Sequence, residues 1–190
     1  MEKKRKKIVY GLSDEVVGVY AISIVEMPAM EADFIALSTD QKVFLKVDKE
    51  RRMLFGAAMI PDKEILRIDK NTGEEYLIEF PAQTIVNASQ QFMKDGHQSD
   101  HTIEHTLKLN GMTVVESWIK EGESDKSVHF GMDYPIGTWF VGVKVDNDEA
   151  WAKVQTGEVR GFSIEGEFAQ LSKEKQILQE IEKVLSSPNN

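Results

Sequence analysis

The sequence predicts a β-rich α+β domain: strands that form a closed or nearly closed barrel, helices flanking it, and one more helix at the C-terminal end. Runs of β-branched and aromatic residues recur as far as residue 168, separated by Gly, Pro, Asn and Asp turn signals. Two of these runs flank an Asn/Gly-containing loop, a hairpin signal. Helical punctuation is confined to a few short stretches. A chain of 190 residues suits one domain, and at about this size roughly 70% of the unfolded surface is hidden on folding.

The chain opens with the basic run Glu2-Lys3-Lys4-Arg5-Lys6-Lys7, read as a solvated arm over residues 1–13. The β-branched stretch from Val16 to Val25 is the first strand, ended by Pro28. Val43-Phe44-Leu45-Lys46-Val47 is a second strand, and Met53 to Ile60 runs into the Pro61-Asp62 turn. Glu64–Ile68 and Glu75–Phe80 form the hairpin around Asp69–Gly73. From Pro81 to Lys94 the pattern becomes helical, with Pro at the entrance and Gly96 beyond the exit. Thr113–Ile119 and Thr138–Val145 are strands, separated by a polar loop through Asp125 and Lys126. Asp146-Asn147-Asp148 supplies cap chemistry for a short helix over 149–155, and Gly157 stops it. From Arg160 to Phe168 the chain alternates: Phe162, Ile164 and Phe168 on one face, Ser163, Glu165 and Glu167 on the other. Residues 171–190 form a separate helix and tail, with Leu171, Leu178 and Leu185 at heptad spacing.

Composition excludes several functions. There is no cysteine, so disulfide scaffolds, thiolate zinc sites and cysteine nucleophiles are absent. The longest apolar stretch, Val16 to Val25, falls short of the ~20 residues a spanning helix needs. No apolar signal region follows the basic start, which predicts a cytosolic protein. A net charge of −9 argues against a general nucleic-acid binder, because phosphate neutralisation needs concentrated positive charge.

Two groups of residues could carry chemistry. His97, His101 and His105 are spaced four apart, and His101-Thr102-Ile103-Glu104-His105 matches the inverted zinc-protease motif H-x-x-E-H. That motif needs a helix, yet Gly96 lies just upstream and Asn110-Gly111 just downstream, so no metal or other cofactor is assigned. Ser163 lies between Gly161 and Gly166, which allow a substrate backbone to approach closely. Residue chemistry alone leaves it a surface serine on a strand, because a nucleophile needs a base from elsewhere.

Five blocks shift that balance: Glu104-His105, Thr113–Ile119, Asp125-Lys126-Ser127, Gly137-Thr138-Trp139 and Gly157–Gly166. With the opening segment Gly18–Ala29, they resemble the XkdF-like phage serine proteases, in order, over roughly residues 14 to 170. Those proteins are related to phage prohead proteases, which are similar to the herpesvirus assemblin barrel. The resemblance implies a serine endopeptidase that works inside the assembling prohead in the host cytoplasm and cleaves scaffold and major capsid protein segments, and itself. It implies Ser163 as nucleophile and His105 as general base. The third member is unassigned by the resemblance; Glu116, on the next strand, is preferred, with Asp146 as the alternative. Prohead proteases carry Ser-Ile-Gly-Phe where this chain has Ser-Ile-Glu-Gly. Glu165 shares Ser163's face by alternation and would oppose oxyanion formation if it pointed into the site. The alternative function is a catalytically inactive head-assembly protein, with the C-terminal helix pairing with itself or with a scaffold helix.

Overall fold

A computed structural model describes residues 5–13, 15–27, 35–37, 51–69 and 71–186. Within these, the strands run β1 (Lys6–Gly11), β2 (Gly18–Val25), β3 (Ile35–Leu37), β4 (Met53–Met59), β5 (Ile65–Ile68) and β6 (Glu75–Glu79). Helix α1 (Ala82–Lys94) and a 3₁₀ turn (His97–Ser99) follow, then β7 (His101–Ile103), β8 (Leu107–Leu109) and β9 (Met112–Ile119). After α2 (Lys126–His129) come β10 (Trp139–Val145), α3 (Asp148–Thr156), β11 (Gly161–Glu167), β12 (Ala169–Gln170) and α4 (Lys173–Ser186). The expected strand at Val43–Val47 lies outside the described residues.

The predicted barrel gives way to three four-stranded sheets, ordered β12-β1-β6-β5, β3-β4-β10-β9 and β11-β2-β7-β8. Among the described residues no ladder closes on itself. Register shifts in β10, at Trp139/Phe140 and Gly142/Val143, and in β11, at Glu165/Gly166, interrupt the ladders. Such bulges bend strands, so these sheets wrap a common core by stacking rather than by continuous pairing.

β10 is the spine of that core. Trp139, Phe140, Val141, Val143 and Val145 are all buried, which is why the strand reads as an apolar run rather than an alternation. β4 flanks it on one side and β9 on the other. Helix α1 lays Ile85, Ala88 and Phe92 into the core, with Phe92 edge-on to Trp139 at 5.5 Å between ring centroids. Gly142 permits the tight approach of neighbouring strands: a Cβ there would lie 2.6 Å from the Phe55 ring.

The described part of the basic segment, from Arg5 on, is not a free arm. Lys6–Gly11 is β1, parallel to β6 through Ile8↔Ile78 and antiparallel to β12 through Tyr10↔Gln170. Its charges meet carboxylates: Arg5 bonds Glu75 at 2.8 Å, and Lys7 reaches Glu79 at 2.6 Å and Glu64 at 3.2 Å. The heptad reading of the tail also changes at its first position. Leu171 precedes α4 and is buried, its side chain seated where a Cβ on Gly11 would be. Helix α4 exposes Ile177, Leu178, Ile181, Val184 and Leu185.

Candidate active site

One face of the β11-β2-β7-β8 sheet gathers the polar residues. β11 runs antiparallel to β2 with Ser163 opposite Ser23, and β2 runs parallel to β7 with Ser23 beside Thr102. Ser163, Ser23 and Thr102 therefore form a row across three strands. The two-residue period of β11 brings Glu165 to the same face, ahead of the bulge at Glu165/Gly166. Phe162, Ile22 and Ile24 point the other way, into the core.

His105 enters from the turn between β7 and β8. Ile103 pairs with Leu107, leaving Glu104, His105 and Thr106 to reverse the chain. Glu104 and His105 both adopt left-handed backbone, with φ of 50° and 55°. Such residues cost free energy and persist where surrounding bonds over-determine them. Here those bonds are explicit. The Glu104 amide donates to Ile24 O at 3.1 Å, the Thr106 amide to Ile103 O at 3.0 Å, and the Glu26 amide to the Glu104 carboxylate at 2.6 Å. The His105 amide donates to Ser23 Oγ at 3.1 Å. Ser23 is thus a buried clamp that fixes the histidine turn beside the serine strand.

From this turn the imidazole reaches across β2. His105 Nδ1 lies 3.3 Å from Glu165 Oε1, and Thr102 Oγ1 donates to the same carboxylate oxygen. Glu165 is mostly shielded, whereas His105 stays 43% exposed. Ser163 is only 5% exposed. Among the described residues its hydroxyl makes no hydrogen bond, to His105 or to any other group. The structure therefore places Ser163, His105 and Glu165 on one face, with His105 joined to Glu165 rather than to Ser163.

The other two acidic candidates lie elsewhere. Glu116 is on β9, opposite Gly142 of β10 in a different sheet, and its carboxylate is held by Lys126, whose ammonium sits over the Trp118 ring. Asp146 follows β10 and pairs with Lys144 at 3.0 Å, while Asn147 caps α3 by accepting from the Ala150 amide. Glu165, expected to trouble the site, instead faces its histidine. The signal was present in the sequence as a carboxylate two residues beyond a strand serine. Ser23 and Thr102 carried no local signal, because their neighbours come from strands distant in the chain.

The histidine series does not share a helical face. His97 lies in the 3₁₀ turn and bonds Asp100 at 2.9 Å, His101 is in β7, and His105 is in the hairpin turn. His101 is buried with each ring nitrogen 3.1 Å from a backbone carbonyl, Ile22 O and Gln98 O. Burial holds its pKa below the ordinary imidazole value despite those carbonyls. The H-x-x-E-H spacing is spent on a strand and a turn, so its two imidazoles do not converge.

Comparison with known proteins adds a family. A family model described as "Putative phage serine protease XkdF" matches residues 40–172. The chain is 24% identical over 168 residues to "Uncharacterized protein YqbD" of Bacillus subtilis (strain 168), an alignment covering 84% of this chain and 48% of that protein. The chain thus spans about half the length of that curated relative. No solved structure matches.

Proposed function

The chain belongs to the XkdF family of phage serine proteases, and from that membership we propose that it is a serine endopeptidase of phage head maturation acting through Ser163, His105 and Glu165. The observation that carries the reading is the His105–Glu165 contact on the face that presents Ser163. A carboxylate at Nδ1 keeps that nitrogen protonated and leaves Nε2 as the proton acceptor. On substrate binding, His105 Nε2 takes the Ser163 hydroxyl proton as Oγ attacks the scissile carbonyl carbon. Glu165 stabilises the resulting imidazolium, and backbone amides stabilise the tetrahedral oxyanion. Collapse breaks the C–N bond as the imidazolium returns the proton to the leaving amine. Water, deprotonated by the same imidazole, then cleaves the acyl-enzyme and restores Ser163. In this role Glu165 replaces Glu116 and Asp146, which face lysines on or beside other strands.

The proposed substrates are segments of phage scaffold and major capsid proteins, and the chain itself, inside the prohead in the host cytoplasm. A second reading, an inactive head-assembly protein, draws on the apolar face that α4 leaves exposed. Intact-mass analysis of the chain co-expressed with its own scaffold and capsid proteins separates the two. Cleavage present in the wild type and absent in Ser163→Ala is the expected result. Cleavage that survives Ser163→Ala would discard the nucleophile, and none in either would favour the assembly protein.

A further inference from the structure

Behind the serine strand lies a cavity of about 380 Å³, between β11 and the inner face of the β12-β1-β6-β5 sheet. Its wall includes Ser163, Ile164 and Gly166 on one side, and Tyr10, Tyr76 and Arg67 on the other. The register of β5 on β6 sets Arg67 opposite Tyr76 and Ile65 opposite Ile78, so a guanidinium is set among apolar and aromatic side chains. Phe80 and Phe168 meet edge-on at 4.7 Å and extend that surface.

Arg67 differs from four other half-buried or buried cations. Arg52, Lys120, Lys144 and Lys153 each face a carboxylate. Among the described residues Arg67 meets no carboxylate; it donates to the carbonyl of its own neighbour Leu66 at 3.0 Å and leaves the rest of its donor fork unused. Removing solvent from a guanidinium without supplying an anion is costly unless a ligand completes the arrangement. Glu167 lies at the exposed margin of the cavity, where water screens it.

We propose that this cavity is a substrate subsite that takes a glutamate-type side chain of the peptide, its stem against Tyr10 and Tyr76 and its carboxylate on Arg67. The proposal rests on the protease reading for the word substrate, because the cavity reaches Ser163 itself; the carboxylate site rests on Arg67 alone. Two fluorescent amidated pentapeptides, identical except for a central Glu or Gln between leucines, test both parts. Binding is measured by anisotropy on the full chain carrying Ser163→Ala, with and without Arg67→Gln. The expected result is about ten-fold or tighter binding of the Glu peptide, lost with Arg67→Gln and partly kept with Arg67→Lys. Equal binding of the two peptides, or a Glu preference that survives Arg67→Gln in a variant with unchanged circular dichroism, would overturn the site. Cleavage by the wild-type chain is the second arm. Cutting that favours the Glu peptide supports the subsite, and cutting indifferent to it removes the subsite. Glu-selective binding without any cutting would keep the carboxylate site while counting against the protease.

Discussion

His105 meets Glu165 only because two adjacent residues accept left-handed backbone and Ser23 holds the second of them in place. In the proposed mechanism the imidazole depends on that one carboxylate for its tautomer. Glu165→Gln keeps the shape and a hydrogen-bonding oxygen for Thr102 but removes the charge that stabilises an imidazolium. The expected outcome is a fall in kcat of about 10²–10⁴-fold with KM little changed, read with a cleaved peptide. His101 gives a different prediction. Its folded pKa lies below its unfolded value because burial disfavours the charged ring. The unfolded chain therefore binds the proton more readily, and stability falls as pH drops from neutrality through the unfolded value near 6.5 toward the folded one. Urea midpoints at pH 7.5 and 5.5 should fall more for the wild type than for His101→Gln, by at most about 1.4 kcal/mol per pH unit.

Elements with local signals were legible from the sequence: α1 from its Pro entrance, the β5–β6 hairpin from its Asn/Gly loop, and α3 from its cap and Gly157. β1 was not, because its evidence is distant. A run of lysines reads as solvated until Glu64, Glu75 and Glu79 stand beside it, and those residues arrive with β5 and β6. The same limit governed the acidic partner of His105. Choosing between Glu116 and Glu165 requires knowing which strands share a sheet, and β9 and β11 do not. Ser163 and His105 are candidates from a resemblance between short blocks, while the face on which they sit is set by pairings between remote strands. Within β10, Gly142 should tolerate no side chain. Gly142→Ala would place a Cβ 2.6 Å from the Phe55 ring and 3.0 Å from Glu116 Cβ. A loss of about 1–3 kcal/mol in urea unfolding is expected from such overpacking.

At the scale of the whole molecule, the core formed by the described residues includes no side chain of α4. Leu171 is tucked under β1, but Ile177, Leu178, Ile181, Val184 and Leu185 are left to solvent. If that stripe joins chains, Leu178→Asp should shift sedimentation toward monomer with the sheet signal in circular dichroism unchanged; an unaltered profile would remove the helix from assembly. β1 lies between β6 and β12, and β2 between β7 and β11, so early strands wait for late ones. A ribosome adding about 5–20 residues per second leaves roughly seven to thirty seconds between the emergence of β2 and that of β11. Only after the β7–β8 turn emerges does the nascent chain hold His105, and until β11 follows it has no serine strand. Under the proposed protease reading, the chain would be harmless while it is being made, and a product truncated before Gly161 would be harmless for good.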